Sequence, residues 1–207
     1  MGISRQGIHG NYRKKVGNVV ARKYRGRVIL SIYQPDVSNP NTPKQQTHRT
    51  AFVAKIRALN AFAGFVKKYA RNWYEWGTGW SNFVKYNWNA FSSTNELRRD
   101  QLVVTRGTLL NPTNPSAAIE AGICTFSWTS NAGQGNASAE DLSIMVAYNS
   151  AKDVVIYNDY GGKRSDREGV LSLPSAWNGD NVDVYLAFHS EDETLVSESM
   201  YLGSLSV

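Results

Sequence analysis

The sequence predicts an α+β fold in which an N-terminal β-hairpin and two helices precede an all-β sandwich. Two β-prone runs flank a glycine within the first 33 residues. Between residues 43 and 97, apolar residues recur every three or four positions, as on one face of a helix. From Ile119 onward, short apolar runs alternate with turn residues at nearly regular spacing, which is typical of packed antiparallel sheets.

The hairpin is predicted over residues 16–24 and 28–33, because both runs are rich in β-branched and aromatic residues. Between them the sequence reads Arg-Gly-Arg, and Gly26 can adopt the positive φ of a tight turn. Residues 1–15 are polar and basic, so they are expected to form an arm or a first edge strand.

The first helix has the clearest local signal in the chain. Thr42 is a good N-cap, Pro43 suits the first helical position, and Gln45 completes a capping box. We expect this helix to run from residue 43 to about 69. A second helix is predicted over residues 81–97, after a Gly-Thr-Gly segment at 77–79.

The second half of the chain predicts a series of short strands. Residues 103–104 and 109–110 are expected to be connectors or edge strands, and residues 111–115 a loop. The main strands are predicted at residues 123–129, 142–149, 154–158, 169–173, 182–189 and 194–205.

The charge distribution predicts a domain boundary near residue 100. Residues 1–100 carry 18 Lys and Arg against four Asp and Glu, whereas residues 101–207 carry five against 13. The net charges of the predicted domains, 1–100 and 101–207, are therefore +14 and −8. A basic domain attracts nucleic acid, anionic lipid or an acidic protein surface, including the acidic domain of a neighbouring copy.

Several classes of protein are disfavoured. No stretch approaches 18 apolar residues, so we expect no membrane span, and the N-terminus lacks an apolar secretion signal. Cys124 is the single cysteine and lies in an apolar strand, which predicts a core residue. His189 is expected at the surface or hydrogen-bonded rather than catalytic.

No catalytic, cofactor or metal site is expected from the remaining motifs. The acidic pairs at 140–141, at 166 and 168, and in 191–193 are interpreted as solvated turns, since none has the ligand spacing of a dedicated calcium loop. The segment Gly161-Gly162-Lys163-Arg164-Ser165 lacks phosphate-loop spacing and is interpreted as a hairpin turn. We therefore expect a non-enzymatic protein.

The candidate contact residues are basic side chains of the arm and hairpin together with tryptophans of the helical segment. Aromatic and Arg residues concentrate in protein interfaces, and nucleic acids also bind Lys and Arg and stack on aromatic rings. A protein interface is favoured over nucleic acid because the second half of the chain is acidic, and several of the tryptophans are expected to be core. The candidates are Arg13, Lys14, Lys15, Arg22, Lys23, Arg25, Arg27, Trp73, Trp76, Trp80 and Trp88.

Several short motifs, taken in their order along the chain, carry a resemblance to a known family. The N-terminal motifs are Gln6-Gly7-Ile8-x-Gly10, Lys15-Val16-Gly17-Asn18-Val19-Val20 and Asn39-Pro40-x-Thr42-x-x-Gln45-x-x-x-Arg49. The C-terminal ones include Ser172-Leu173-Pro174, Trp177-x-Gly179-Asp180 and Tyr185-x-Ala187-Phe188. In this order, the motifs resemble an uncharacterised domain-of-unknown-function family of Bacteroidota and their phages. The resemblance implies that the sandwich is immunoglobulin- or fibronectin-like, with Trp128 as an early-strand core residue and Tyr185 as a late-strand core or corner residue.

The resemblance and the composition together predict a structural protein, with a phage virion component as the leading hypothesis. Such a protein would be made in the host cytoplasm and would form a homo-oligomeric ring, collar, tail part or capsid-associated layer with other virion proteins. The alternative is a nucleic-acid-binding protein in a bacterial cytoplasm. A weaker alternative is a surface carbohydrate-binding or adhesion module.

Overall fold

The structure, a computed structural model, describes residues 14–24, 27–36, 38–70, 73–74 and 77–207. It has an α+β fold, as predicted. The chain forms two compact units, which divide between Gln46 and Thr47.

The first unit contains a three-stranded antiparallel sheet, with strands β1 (Lys14–Val16), β2 (Val19–Tyr24) and β3 (Arg27–Ile32) in that order. Tyr24 lies opposite Arg27, so the β2–β3 hairpin has a two-residue connection whose residues lie outside the described ranges. The hairpin is confirmed, but its first strand begins at Val19. Gly17, with a φ of 58°, lies in the turn that separates β1 from β2.

The first helical segment is confirmed in its extent. Helix α1 (Pro43–Leu59) continues through a 3₁₀ turn (Asn60–Phe62) into α2 (Ala63–Tyr69). The predicted capping box is present, with the Thr42 backbone N–H donating to Gln45 Oε1 at 3.1 Å and the Gln45 N–H donating to Thr42 Oγ1 at 3.4 Å.

Helix α3 (Gly79–Tyr86) is shorter than predicted. A 3₁₀ turn (Asn87–Ala90) follows it, and residues 91–97 are not helical. Phe91 and Leu97 instead form a β-bridge around a turn in which Asn95 has a φ of 65°. The Ser92 hydroxyl accepts a hydrogen bond from the Glu96 N–H at 3.1 Å, an alternative to helical pairing that serine side chains offer.

Two further antiparallel sheets make up the second half of the chain. One has the order β4-β5-β8, with bounds Thr113–Glu120, Ile123–Thr129 and Glu168–Ser172. The other has the order β10-β9-β6-β7, with bounds Met200–Ser206, Asn181–His189, Leu142–Asn149 and Val154–Asn158. The prediction of a strand from residue 194 is wrong at its start, because β10 begins at Met200.

The prediction of a loop at residues 111–115 is also wrong, because strand β4 starts at Thr113. Pro115 is compatible with β4 because this strand lies at the edge of its sheet and its register shifts between Thr113 and Ser116. Pairing with β5 therefore sets this strand, although its own composition does not favour it.

The four-stranded sheet is covered on both faces. One face packs on the three-stranded sheet β4-β5-β8, where Phe126 and Trp128 meet Leu186 and Phe188. The other face packs on the helices. That second core contains Phe62, Phe65, Val66 and Phe83 from the helical segment and Ile144, Val146, Tyr148 and Tyr185 from the sheet. Because helices and sheets share this core, the second compact unit runs across residue 100, where the charge changes sign.

Candidate interaction surfaces

The sheet of the first unit is amphipathic. Residues that lie opposite each other on neighbouring strands share a face, and the register pairs Val19 with Ile32 and Ala21 with Leu30. Alternation along β3 adds Val28 to the same face, and the register also places Lys14 opposite Ala21 and Lys23 opposite Val28 on it. Ile32 is 79% exposed and Leu30 48% exposed, so the unit presents aliphatic side chains to solvent.

The opposite face of this sheet is mixed and basic. Lys15 and Arg22 are exposed on it, together with Ile29 and Ser31. The Lys15 ammonium lies 3.6 Å from the centre of the Tyr33 ring, a cation–π contact.

The predicted basic candidates thus lie in or beside this sheet where the structure describes them. Lys14 is exposed on β1, Lys23 is the penultimate residue of β2, and Arg27 is the first residue of β3 after the hairpin connection. Arg13 and Arg25 lie outside the described residues.

The predicted tryptophans divide between two places in the second unit. Trp80 and Trp88 are half-buried and line a groove between α1 and α3. Trp73 is half-buried in a separate cleft, with its ring 5.3 Å from that of Tyr86. Trp76 lies outside the described residues, whereas Trp128 and Trp177 are core residues.

The groove between α1 and α3 has an apolar floor and a volume of about 440 Å³. Phe52 and Ile56 of α1 face Val84 of α3, and the two tryptophans complete the lining. The rings of Phe52 and Trp88 are 5.6 Å apart. Phe52 remains 47% exposed, so a large aromatic side chain is accessible at this site.

Among the described residues, the titratable side chains that line this groove are potential cations. His48 and Lys85 line it, and the Lys55 ammonium lies 4.4 Å from the centre of the Trp88 ring. The sequence contains no Asp or Glu between Asp36 and Glu75, or between Glu75 and Glu96. Neither helix therefore supplies an anion to neutralise these groups.

A second, polar cleft of about 500 Å³ lies where α2 approaches the loop between β9 and β10. The Lys68 ammonium is 3.1 Å from an Asp159 carboxylate oxygen and 3.0 Å from one of Glu193. The Tyr69 hydroxyl donates to Asp159 at 2.8 Å, and the Tyr160 hydroxyl donates to Glu193.

These contacts shift the pKa values of the cleft. Burial opposes the charge on Lys68, but its hydrogen bonds to Glu193 and Asp159 raise its pKa above the usual range. Burial likewise opposes ionisation of Asp159, but hydrogen bonds from Tyr69 and Lys68 lower its pKa. Hydrogen bonds from Tyr160 and Lys68 lower the pKa of Glu193. The network stays ionised near neutral pH and joins α2 to the sheet.

His189 and Cys124 occupy structural positions. His189 is buried, and its Nδ1 and Nε2 atoms lie 2.8 Å from the Ser190 carbonyl oxygen and 2.7 Å from that of Asp159. Cys124 is fully buried between the two sheets, where burial raises the pKa of its thiol to about 12. The predictions of a hydrogen-bonded histidine and a core cysteine are confirmed.

The interpretation of residues 140–141 as a solvated turn is wrong for Asp141. This carboxylate is buried and accepts a hydrogen bond from Arg164 Nε at 3.0 Å. The Arg164 guanidinium is also fully buried and donates to Asn131 Oδ1 at 2.6 Å and to the Leu110 carbonyl at 2.8 Å. Sequence reasoning missed this pair, because its partners are 23 positions apart without a local signal.

The interpretation of residues 161–165 as a hairpin turn is also wrong. The segment connects β7 to β8, and these strands belong to different sheets. Arg164 begins a 3₁₀ turn (Arg164–Asp166) within this crossover, and the Lys163 N–H donates to Asp166 Oδ2 at 2.8 Å.

The described residues contain no group of three or more His, Cys, Asp or Glu side chains placed to hold a metal ion. Within the same ranges, no helix is both long and apolar enough to cross a membrane.

These features define an α+β protein with two exposed apolar surfaces, one on a sheet and one between two helices. The chain belongs to a family of unknown function, DUF6266, which matches it over residues 10–203. This match confirms the resemblance to an uncharacterised family. A search among curated proteins found no match.

Proposed function

We propose that this protein is a non-enzymatic assembly protein that self-associates through the apolar face of its first-unit sheet. The observation that carries the proposal is the exposure of Val19, Leu30 and Ile32 on one face of β2 and β3. Contiguous exposed apolar surface of this kind marks an interaction site in soluble proteins.

A second copy is the partner that this face fits best. Small isolated sheets are marginally stable in water, and a sheet becomes stable when its apolar face is covered by another layer. Two copies of this face can pack their aliphatic residues on each other as the sheets of a sandwich do, about 10 Å apart. Such a contact is isologous, the commonest arrangement in homo-oligomers.

We further propose that the two packed sheets of the second unit are an immunoglobulin- or fibronectin-like sandwich. Strands A, B and E of such sandwiches share one sheet and C, F and G share the other. The orders β4-β5-β8 and β10-β9-β6-β7 correspond to this pattern, with β7 added beside β6. The buried Trp128 on the second strand also supports the proposal.

The proposed setting is a phage virion, where the protein would contact other structural proteins after synthesis in the host cytoplasm. The support is the family resemblance and the frequent use of such sandwiches as virion modules, which is an analogy at the level of the fold. The genes that flank this one test the setting directly, since portal, capsid or tail genes are expected there.

Sedimentation velocity of the full chain over a range of concentrations tests self-association. We expect a species larger than the 23.0 kDa monomer. The double variant Leu30→Thr/Ile32→Thr should shift the distribution to monomer, because Thr keeps the β-propensity and removes aliphatic surface. Ile29→Thr, on the opposite face of the same strand, is the matched control. A wild-type monomer at every concentration, or an equal effect of Ile29→Thr, would contradict the proposal.

Nucleic-acid binding is a second candidate, favoured by the exposure of Lys15 and Arg22 on the basic face of the same sheet. Phosphate contacts by these residues would give an affinity that falls steeply with salt. A gel shift of the full chain with 20-nucleotide single-stranded and duplex DNA between 50 and 200 mM salt tests it. Retained binding in Lys15→Ala/Arg22→Ala, or no binding at low salt, would exclude this role for the sheet.

A further inference from the structure

The groove between α1 and α3 is a second binding surface, distinct from the self-association face of the sheet. Its floor consists of Phe52, Ile56, Trp80, Val84 and Trp88 and offers almost no polar group. A ligand that covers this floor must therefore be apolar where it touches it, since a polar group buried there would lose its hydrogen bonds to water.

The charges beside the groove specify the rest of the ligand. His48 and Lys85 lie at the groove itself, and Lys55 stacks over Trp88. The two helices contain no acidic residue, so neither helix offsets the positive charge of these side chains. The complementary ligand carries anions that flank its apolar anchors.

We propose that the groove binds an acidic segment of another protein, one that inserts one or two large apolar side chains between α1 and α3 while its Asp and Glu residues meet Lys85, Lys55 and His48. Amphipathic segments commonly bind helix-lined apolar grooves in this way. An aromatic anchor fits the floor best, because aromatic pairs add stabilisation beyond the area that they bury.

A second copy of this chain does not supply such a segment from its acidic loop, residues 190–195. Asp192 accepts hydrogen bonds from Ser190 and Thr194 there, and Glu193 pairs with Lys68. Leu195 closes the loop by donating its N–H to the Ser190 hydroxyl at 2.9 Å. These bonds hold two of the three acidic side chains of the loop, those of Asp192 and Glu193, within their own unit, so a different protein is the expected partner.

Nucleic acid fits this groove less well than an acidic peptide. Bases bring ring nitrogens and exocyclic amino and carbonyl groups that need hydrogen-bond partners when they are buried. The polar groups of the lining are few: the side chains of His48, Ser81 and Lys85, and the indole N–H groups of the two tryptophans. A concave aliphatic and aromatic floor suits a Leu or Phe side chain instead.

Selection of a phage-displayed library of random 12-residue peptides on the full chain tests the proposal. We expect selected peptides to be enriched in Asp and Glu around one or two Phe, Trp or Leu residues. The affinities of synthetic copies are then compared by fluorescence anisotropy for Phe52→Ser and Val53→Ser. These positions are adjacent on α1 and 47% and 45% exposed, but only Phe52 lines the groove.

Phe52→Ser should weaken peptide binding at least tenfold, whereas Val53→Ser should leave it within twofold. Lys85→Glu should weaken it comparably, and Lys67→Glu, at an exposed lysine of α2 that does not line the groove, is its control. Selection of no binder, of peptides without acidic enrichment, or of peptides that bind Phe52→Ser and Val53→Ser equally would overturn the proposal. Groove-dependent binding of a labelled 20-nucleotide DNA in place of the peptides would also overturn it.

These experiments test the self-association face and the groove independently of each other. Loss of self-association in Leu30→Thr/Ile32→Thr leaves the groove on α1 and α3 intact, and Phe52→Ser leaves the sheet intact. A monomeric wild type would therefore contradict the self-association proposal but would not contradict the proposal of peptide binding.

Discussion

The sheet of the first unit and the four-stranded sheet of the second are built from similar sequences but are covered very differently. On β9, every residue from Val182 to His189 is buried, because one face packs on the helices and the other on the β4-β5-β8 sheet. On β3, the aliphatic residues Ile29, Leu30 and Ile32 are all exposed. Both strands are rich in β-branched and aliphatic residues.

These two strands therefore obtain their stability from different sources. The strands of the second unit gain theirs from layers supplied by the same chain, as folded domains usually do. The strands of the first unit carry the same kind of apolar surface with little of it buried. The free energy of covering that surface is therefore still available for association.

The first prediction concerns the buried ion pair of the second unit, where the largest loss of stability is expected. Arg164→Ala should lower the free energy of unfolding by about 3–5 kcal/mol, because it leaves the buried Asp141 carboxylate without its cation. Urea denaturation followed by tryptophan fluorescence measures this. Lys163→Ala, which breaks an exposed pair with Glu140, should leave the urea midpoint nearly unchanged. Equal effects of the two variants would show that the buried pair is not essential to the unit.

The next prediction compares the two sheets directly by making the same leucine-to-alanine substitution in each. Leu186→Ala on β9 should lower the free energy of unfolding by about 2–5 kcal/mol, because the side chain is fully buried between the sheets. Leu30→Ala on β3 should lower it by less than about 1 kcal/mol, because the exposed side chain loses little buried area.

Leu30→Ala should instead act on association. Sedimentation at matched concentrations is expected to show a larger monomer fraction for Leu30→Ala and an unchanged fraction for folded Leu186→Ala. If the two leucine variants destabilised the chain equally, the contrast between a self-covered and an uncovered sheet would be lost.

The same contrast explains how much the sequence could predict. Helix α1 and the β2–β3 hairpin were predictable because their signals are local: Thr42 and Gln45 sit three positions apart, and Gly26 lies between two β-prone runs. Strand β4 was not, because pairing with β5 overrides the turn propensity of Asn114 and Pro115.

The sequence indicated which types of residue would form the contact surfaces, but not where those residues lie in the fold. The tryptophans of the helical segment were recognisable as candidate contacts, but no local pattern separates Trp73 in the polar cleft from Trp88 in the apolar groove. That division depends on how α1 packs beside α3, which long-range contacts decide. The Arg164–Asp141 pair could not be predicted for the same reason, because a long-range contact brings its partners together.

The smallest expected effect concerns the ionic network of Lys68, which ties α2 to the sheet of the second unit. The Asp159 pKa in the folded state is lowered from its usual 3.8, so its contribution to stability is present above that pH and is lost as the pH falls through the folded value. The Lys68 pKa is raised from 10.5, so its contribution is present below pH 10.5 and is lost as the pH rises through its folded value.

Lys68→Met should therefore lower the free energy of unfolding by less than about 1 kcal/mol at pH 7, because 42% of the Lys68 side chain is exposed and water screens the pair. The difference from wild type should shrink as the pH falls through the lowered pKa values of Asp159 and Glu193, because protonation removes the charges that Lys68 pairs with. Urea midpoints at pH 7, 4 and 2 measure this, with the adjacent exposed Lys67→Met as the control. A difference that persists unchanged at pH 2 would mean that Lys68 stabilises the unit through the packing of its aliphatic stem rather than through its charge.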